Sequence, residues 1–380
     1  MSPTLSALGL SALMGIAAAA RAEAPSCWVY FGTQVTGADR GLYVARLNQD
    51  TGSLSPAVRV ADKSDSVFMA FSPDKKHLYS LAEVPRLMGG PREAIETYEV
   101  DAATGSLHNI GERVVDGSEA CHISVDPSGR CVLTANYGGH YIEVFPIGTD
   151  ATVGKRSCIV QHSGSGPDLS RQESAHPHSI NVDPTDRFSI VCDLGMDKVF
   201  VYKFDAAKGT LALNNPPFAM VPPGAGPRHF AFHPDGRHAF VTDEMAGAIT
   251  AFAWDSEKGV LTPYQTISIL PQDYKGLNTS AEVVVAKSGR FVYGSNRGDD
   301  SIVVLSFDQA TGRLSFVQRM GDGVKVPRNY AIDPTGKWLV CANLAASTAT
   351  VYRIDPDSGR LSLTGTIAVP ESLCVRFLQD

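Results

Sequence analysis

The sequence predicts a seven-bladed β-propeller made of four-stranded antiparallel blades. One motif occurs six times along the 380 residues: a short apolar strand, a turn that contains Pro in five of the copies, and a second apolar strand. The copies occupy 70–83, 124–137, 181–194, 231–244, 284–297 and 331–344. Their turn positions, spaced 47 to 57 residues apart, are Pro73, Pro127, Pro184, Pro234, Lys287 and Pro334. A repeat of about 50 residues indicates a propeller or another repeat array.

The order of residues within each repeat predicts four strands. The first strand ends in Asp-Pro-x-Gly-Arg or a close variant, in which Asp opens a turn, Pro presets φ and Gly tolerates φ > 0. A second apolar strand follows directly, and a third reads KVFVYKF at 198–204 or SIVVLSF at 301–307. An Asp-x-x-x-Gly-x-Leu turn, as in 205–211, then leads to a more polar fourth strand. Four short antiparallel strands form one propeller blade.

The two ends of the chain predict how the ring closes. CWVYFGTQ at 27–34 matches the second strand of the repeat, so the blade it begins lacks a first strand. SLCVRFL at 372–378 is an apolar strand without a blade of its own, and it can fill that place. Six whole blades and one composite blade make seven, and closure removes an open sheet edge. We therefore expect one propeller domain over residues 25–380.

The first 24 residues are predicted to be a secretory signal peptide. LSALGLSALMGIAAAA at 5–20 is apolar, and the small residues Ala20, Ala22 and Ala24 follow in cleavage-site spacing. The pattern predicts a periplasmic or secreted protein, or a cytoplasmic one if the segment is not a signal. No other stretch is long enough to span a membrane, so we expect no membrane association after cleavage.

Composition narrows the choice of partner. A formal net charge of −7 argues against nucleic acid or an anionic membrane surface. The seven cysteines show no paired spacing and no Cys-x-x-Cys, so no disulfide framework is expected. We expect a monomer whose partner is a small molecule.

Repetition separates scaffold from candidate site, because a residue present in every blade serves the fold and a residue that occurs once can carry chemistry. The starts of first strands and the ends of second strands should share one face, around the central channel. When the repeats are aligned, each position forms a column of equivalent residues, one from each blade. The column at the end of the second strand is mostly Asn or Asp. These residues can be a repeated turn cap or part of the channel lining. They are Asn136, Asp193, Asp243, Asn296 and Asn343.

The neighbouring columns are heterogeneous and rich in cations. Pro177, Pro227 and Pro327 stiffen three of the strand starts. The predicted ring at the mouth consists of His122, His178, His229, Arg228, Arg297 and Arg328, with Tyr137 and Glu244 among them. An acidic chain that gathers three arginines and three histidines around one opening is suited to an anionic small molecule.

The remaining motifs give weaker indications of function. His176 and His178 form a His-Pro-His pair without a completing ligand set, so neither a metal site nor any cofactor is expected. His233 and His238 fall at a hairpin, on the face opposite the mouth. Motifs for serine hydrolases, dinucleotides and nucleoside triphosphates are missing from the sequence. The Ser/Gly-rich loop 160–178 is the longest, and loops of that length are functional or mobile.

Several segments together resemble the seven-bladed propeller lactonases, which include the propeller-type 6-phosphogluconolactonase and the fungal carboxy-muconate lactonizing enzyme. They are GAGPRHFAFHPDGRHAFVTDE (224–244), ACHISVDPSGRCVLTANYGG (120–139), HPHSINVDPTDRFSIVCDLG (176–195), YGSNRGDDSI (293–302) and PRNYAIDPTGKWLVCAN (327–343). The resemblance covers nearly the whole chain after the leader and implies metal-independent lactone chemistry. It places the catalytic positions on His178, Arg228, Glu244 and Arg297.

We therefore expect hydrolysis of a sugar or other anionic lactone. Glu244 or His178 would be the general base and Arg297 would face the oxyanion. Substrate-binding positions are expected at His122, Asn136, Tyr137, Asp193, His229, Asn296 and Arg328. The alternatives are a cycloisomerase that forms the lactone, a propeller that only binds a ligand or partner, and a metal-dependent gluconolactonase-like propeller.

Overall fold

The structure is a computed structural model that describes residues 24–34, 39–62, 66–84, 92–115 and 119–378, with the side chains of 83, 84 and 92 left out. Residues 1–23 of the predicted signal peptide lie outside this part of the chain. The described residues form 28 strands in seven four-stranded antiparallel sheets, which confirms the predicted propeller. None of the described helices is long and apolar enough to cross a membrane.

The first three blades contain strands β1 to β11 together with β28. Blade one comprises β1 (Ser26–Thr33), β2 (Leu42–Asn48), β3 (Val58–Ala61) and β28 (Ser372–Phe377). Blade two comprises β4 (Met69–Phe71), β5 (His77–Val84), β6 (Arg92–Val100) and β7 (Leu107–Val114). Blade three comprises β8 (Ala120–Val125), β9 (Cys131–Asn136), β10 (Tyr141–Pro146) and β11 (Cys158–Gln161).

The remaining four blades follow in chain order. Blade four comprises β12 (Pro177–Val182), β13 (Phe188–Asp193), β14 (Lys198–Asp205) and β15 (Thr210–Met220), with a 3₁₀ turn at Leu194–Met196. Blade five comprises β16 (Pro227–Phe232), β17 (His238–Asp243), β18 (Ala248–Asp255) and β19 (Val260–Ser268). Blade six comprises β20 (Thr279–Val285), β21 (Phe291–Arg297), β22 (Ser301–Asp308) and β23 (Arg313–Met320). Blade seven comprises β24 (Pro327–Ile332), β25 (Trp338–Asn343), β26 (Thr348–Ile354) and β27 (Leu361–Ala368).

The ring closes through the composite first blade, as predicted from the two ends of the chain. Strand β28 pairs antiparallel with β1, and the register places Phe377 opposite Val29 and Cys374 opposite Gly32. The sheet order is β28-β1-β2-β3, so the last strand takes the innermost position that the first blade lacks. The inner edge of β1 is thereby paired instead of being left open.

The Asp of the repeated hairpin turn acts as a local cap. Asp183 Oδ1 accepts the amides of Arg187 at 2.8 Å and Phe188 at 2.7 Å. Asp333 Oδ1 accepts the equivalent amides in blade seven, at 2.9 and 2.8 Å. These bonds satisfy amides that the turn would otherwise bury without partners.

The Gly of the Asp-x-x-x-Gly turn is fixed by packing between blades. Gly259 has φ 67°, and a Cβ there would lie 2.4 Å from the ring of Phe188 in the preceding blade. Gly359 meets Phe291 at the same 2.4 Å. The apolar clusters likewise join neighbouring blades, as where Phe240 and Ile249 pack with Val292. Blade-to-blade burial therefore holds the ring together.

Candidate active site

A β-bulge at the start of the inner strand places four side chains at the channel mouth. In blade five Pro227 pairs with Asp243 and His229 with Thr242, so Arg228 is an extra residue without a partner. The strand pairing has the same extra, unpaired residue at Cys121, His178 and Arg328 in blades three, four and seven. Bulges re-aim side chains at strand ends, and all four of these residues line one cavity.

This cavity, the mouth cavity, has a volume of about 470 Å³. It is lined by Gln34, Val67, Leu81, Ala82, Glu93, Ala94, Glu119, Ala120, Cys121, Tyr137, Arg171, His178, Arg228, Glu244, Arg297 and Arg328. The four residues predicted as catalytic are therefore brought together in one pocket, along with two of the predicted substrate-binding residues, Tyr137 and Arg328.

Glu244 is buried at the centre of a group of arginines. Its Oε2 lies 2.7 Å from Arg228 Nη1 and 2.9 Å from Arg297 Nη2, and its Oε1 lies 2.8 Å from Arg171 Nη2. Burial alone would raise the pKa of Glu244, but the charges of Arg228 and Arg297 outweigh it and hold the pKa well below its usual range. The carboxylate is ionised and both of its oxygens are engaged.

His178 is a buried neutral imidazole beside this group. Its Nε2 accepts a hydrogen bond from Arg228 Nη1 at 2.5 Å and lies 4.0 Å from Glu244 Oε2. Burial, reinforced by the charge of Arg228, holds the pKa of His178 well below 6.5. On the other side of the ring, Cys121 Sγ lies 3.7 Å from Nδ1. Burial raises the pKa of the Cys121 thiol to about 12, so this thiol is not an activated nucleophile.

Arg297 and Arg328 complete the cationic side of the cavity. Arg297 is oriented by backbone oxygens, since Nε donates to Thr279 O at 3.2 Å and Nη2 to Ser280 O at 3.3 Å. Burial lowers the pKa of Arg297 to about 9 and that of Arg328 to about 10, with Arg228 contributing to both, so each is cationic at neutral pH. Within the described residues the Arg328 guanidinium has no hydrogen bond or ion pair, which leaves its donors for a ligand.

Arg171 is a site residue that the sequence analysis did not find. It lies in the long loop before blade four, and its hydrogen bonds to Glu244 and to the Tyr137 hydroxyl outweigh the effect of burial and raise its pKa. Tyr137 in turn stacks on His176 with ring centroids 4.2 Å apart. The only signal in the sequence was the length of the loop.

The loop is tied to the site by the buried carboxylate of Asp197. Gln172 Nε2 donates to Asp197 Oδ1 at 2.7 Å. The amides of Gly224 and Gly226 donate to Oδ2 at 2.6 Å and Oδ1 at 2.8 Å. One carboxylate therefore fixes both the segment that carries Arg171 and the turn that leads into Arg228.

His122 and His229 lie in a deeper layer than the mouth cavity. They contribute, with Phe68 and Glu282, to a second cavity of about 340 Å³ that extends to the hairpin residue Lys287, toward the opposite face. His229 Nδ1 lies 3.0 Å from Glu282 Oε2. Each histidine is one residue further along its strand than the bulge, and one residue is about 3.3 Å. The structure does not bring them to the same cavity as Glu244.

Asn136, Asp193 and Asn296 are buried inside their blades and line neither cavity. Asn296 Nδ2 donates to Ile269 O at 2.8 Å, and Asn136 Nδ2 donates to Tyr141 O at 3.4 Å. Asp193 holds His162 Nδ1 at 2.6 Å and the amide of His176 at 2.8 Å. These contacts agree with the first of the two predicted roles for this column, a repeated cap.

Comparisons with known proteins agree with this architecture. A family model described as "Lactonase, 7-bladed beta-propeller" matches residues 28–377. The chain is 33% identical to the 6-phosphogluconolactonase of Bacillus subtilis over 92% of its own length and 98% of that protein. It is 30% identical to the 6-phosphogluconolactonase of Formosa agariphila, over 84% and 90% of the two chains. The solved structure of a periplasmic gluconolactonase from Pseudomonas aeruginosa superposes with a TM-score of 0.86 at 30% identity, covering 93% and 99%.

Proposed function

Because the chain belongs to the family of seven-bladed β-propeller lactonases, and its relatives named 6-phosphogluconolactonase are lactone hydrolases, we propose that it opens a sugar lactone in the mouth cavity by adding water. The observation that carries the proposal is the buried Glu244 carboxylate held by Arg171, Arg228 and Arg297, with neutral His178 at 4.0 Å. This arrangement supplies cationic hydrogen-bond donors for an oxyanion next to an unprotonated imidazole.

A sugar lactone suits this cavity because one side of it carries arginines and the opposite side carries glutamates. Arg228, Arg297 and Arg328 come from blades five, six and seven. Glu93 and Glu119 line the cavity from blade two and from the start of blade three, across the ring. Carboxylates accept hydrogen bonds from sugar hydroxyls, while arginines bind a carbonyl oxygen or an anionic substituent. The substrate class is therefore an aldonolactone, and Arg328 provides the place for a phosphate or carboxylate on it.

We assign the general base to His178 and a positioning role to Glu244. The Glu244 oxygens already accept charge-assisted hydrogen bonds from Arg171 and Arg228 and form an ion pair with Arg297, and the depressed pKa of Glu244 makes it a weak proton acceptor. Among the described residues, the only hydrogen bond to His178 Nε2 comes from Arg228. A substrate oxygen that takes over this Arg228 donor would free the imidazole lone pair for a water molecule.

The reaction then balances with one water. His178 Nε2 takes a proton from water while the water oxygen attacks the lactone carbonyl carbon. Arg297 stabilises the oxyanion of the tetrahedral intermediate. The bond from the carbonyl carbon to the ring oxygen breaks, and protonated His178 returns its proton to that oxygen. The product is an open-chain hydroxy acid, which loses its own carboxyl proton to solvent.

Export to the periplasm or outside the cell forms part of the proposal. Its support is the apolar run and small-residue pattern of residues 1–24 and the likeness to a gluconolactonase described as periplasmic. The mature chain would begin near Glu23 or Pro25. N-terminal sequencing of protein from the native host tests this, and an intact Met1 would return the protein to the cytoplasm.

A lactone panel with and without chelator tests the chemistry. Proton release would be followed for glucono-1,5-lactone, its 6-phosphate and a carboxylated muconolactone. We expect turnover of the sugar lactones that chelator leaves unchanged. Turnover lost with chelator would favour the metal-dependent propeller, and lactone formation from an open-chain muconate alone would favour the cycloisomerase. Absence of any turnover, with ligand binding retained, would favour a propeller that only binds.

A further inference from the structure

Three metal-ligating side chains meet on the face opposite the mouth cavity. His233, Asp235 and His238 belong to the hairpin between β16 and β17 and are called the hairpin cluster below. His233 Nδ1 lies 2.9 Å from Asp235 Oδ1, and His238 Nδ1 lies 2.8 Å from Asp235 Oδ2. One ligand atom from each of the three residues lies within 4.8 Å of the others.

The hydrogen bonds of His233 fix which ring nitrogen carries the proton. Its Nε2 lies 2.8 Å from the carbonyl oxygen of Gly289, which can only accept, so Nε2 carries the proton. Nδ1 accepts a weaker hydrogen bond from the amide of Asp235 at 3.1 Å. A ring N–H donated to a backbone carbonyl is the usual way in which a metal-binding histidine is oriented.

This tautomer places a lone pair against a carboxylate. His233 Nδ1 and Asp235 Oδ1, 2.9 Å apart, are then both acceptors. The His233 side chain is only 1% exposed, so water cannot relieve the contact from the ring side. A cation between the two atoms, either a second proton on the imidazole or a metal ion, makes the contact favourable.

We propose that the hairpin cluster binds a divalent transition-metal ion of the zinc class. Imidazole nitrogen and carboxylate oxygen are ligands that Zn²⁺, Co²⁺, Ni²⁺ and Cu²⁺ share. Zinc bonds of about 2.0–2.2 Å in a tetrahedron separate ligand atoms by roughly 3.3 Å, and the three ligand atoms here all lie within 4.8 Å of one another. The three side chains leave a fourth position for water, and Asp235 and His238 are partly exposed, which gives the ion a way in.

The site would stabilise the junction between blades five and six. His233 reaches across to Gly289 in the hairpin of blade six, and its ring lies 4.6 Å from that of Phe307. A metal on Nδ1 would hold the imidazole in this orientation. The bound ion would act on stability and would leave the chemistry at the mouth cavity, on the other face, unchanged.

The repeat offers an internal control. Blade two has Asp74 and His77 at the positions equivalent to Asp235 and His238, but Ser72 stands where blade five has His233. Ser72 Oγ instead donates to Asp74 Oδ1 at 2.6 Å. Blade two therefore has the same turn with one nitrogen ligand fewer. Phe188 and Phe291 occupy the His238 position in blades four and six, so a phenylalanine is compatible with the fold there.

The experiment is a metal titration of the full chain, purified without a polyhistidine tag and stripped with chelator. Zn²⁺ would be titrated by competition with a chromophoric chelator, and Co²⁺ by its visible absorption. We expect one equivalent to bind and to raise Tm. His238→Phe and Asp235→Asn should weaken binding at least about tenfold, since even indirect changes around a metal cost 10–100-fold. His77→Phe should leave binding unchanged.

Measurements of lactone turnover distinguish the proposed metal site from the proposed catalytic function. All three variants should keep the wild-type kcat, and loss of activity in the catalytic variants would not bear on the metal site. Equal Zn²⁺ affinity in wild type and His238→Phe, or the absence of stoichiometric binding to the wild type, would overturn the proposal. A folded Asp235→Asn protein that retains full affinity would also overturn it.

Discussion

Gln172 and Asp197 are joined by a hydrogen bond of 2.7 Å between Nε2 and Oδ1, and through it the loop before blade four is coupled to the turn before Arg228. The same carboxylate accepts the amides of Gly224 and Gly226. Asp197 touches no part of the mouth cavity, yet two of the arginines around Glu244 depend on it for their position. It is a positioning residue.

Asp197→Asn should therefore lower kcat/KM by about tenfold or more. An amide at this place presents an N–H to backbone amides that need an acceptor, and hydrogen bonds to charged groups contribute about 1.5–3 kcal/mol. Steady-state kinetics on a sugar lactone measure the effect, and Asp205→Asn, in an exposed turn, is the control. Wild-type kinetics in Asp197→Asn would show that the loop is held by other contacts.

His178→Gln and Glu244→Gln should impair the enzyme in different ways. Gln at 178 can still accept the Arg228 hydrogen bond but is no base, so kcat should fall about 10²–10⁴-fold with KM nearly unchanged. Glu244→Gln leaves buried arginine charges uncompensated, so it should also raise KM and lower Tm. If Glu244→Gln alone lost kcat while His178→Gln stayed active, Glu244 would be the base.

The pH dependence of kcat follows from the depressed pKa of His178. Its pKa lies well below 6.5, so the imidazole is neutral at neutral pH and kcat should be flat between about pH 7 and pH 8. Below that range kcat should fall as His178 gains a proton and stops acting as a base. A kcat that rises through pH 7 would point to a base with an ordinary imidazole pKa.

Arg328→Met should separate charged from uncharged substrates. The guanidinium has no protein partner in the described part of the chain, and its loss removes a charged donor facing the cavity. KM for a phosphorylated sugar lactone should rise about tenfold or more, in line with 1.5–3 kcal/mol for such a bond. KM for the unphosphorylated lactone should change little. Arg187→Met, on an exposed ion pair with Glu257, is the matched control.

Asp243→Asn should stabilise the protein at alkaline pH without harming activity. Burial raises the pKa of Asp243 to about 7. Its folded pKa lies above the unfolded value, so the stability it contributes is full in acid and is lost as pH rises to 7. The advantage of Asn over Asp should grow by about 2–3 kcal/mol between pH 5 and pH 8. Denaturant unfolding at the two pH values measures this, and Asp255→Asn should show no such growth.

The sequence was sufficient to predict the fold and the residues at the centre of the site. The Pro-containing hairpin and the unassigned strand at 372–378 are local patterns, and both lead directly to the seven closed blades. The proximity of Arg228 and Glu244 also follows from the repeat, because a first-strand start and a second-strand end meet at one face of the ring.

The features of the site that could not be predicted depend on contacts that leave no repeating pattern in the sequence. The bulge that aims Arg228 into the mouth leaves His229 one residue deeper, and alternation along a regular strand gives no warning of that shift. Arg171 reaches Glu244 from a loop in which the neighbouring Gln172 is hydrogen-bonded to Asp197, 25 residues away in sequence. No periodicity marks either residue.

The composite first blade also imposes an order on biosynthesis. Strand β1 is synthesised early, but its inner partner β28 emerges only some 340 residues later, since β1 ends at Thr33 and β28 begins at Ser372. At about 5–20 residues per second, the first blade waits roughly 20 seconds to a minute for its last strand. Blades two to seven can form during that interval on the growing chain. The blade that the ribosome begins first is thus the last to be finished, because the ring can close only once β28 has been made.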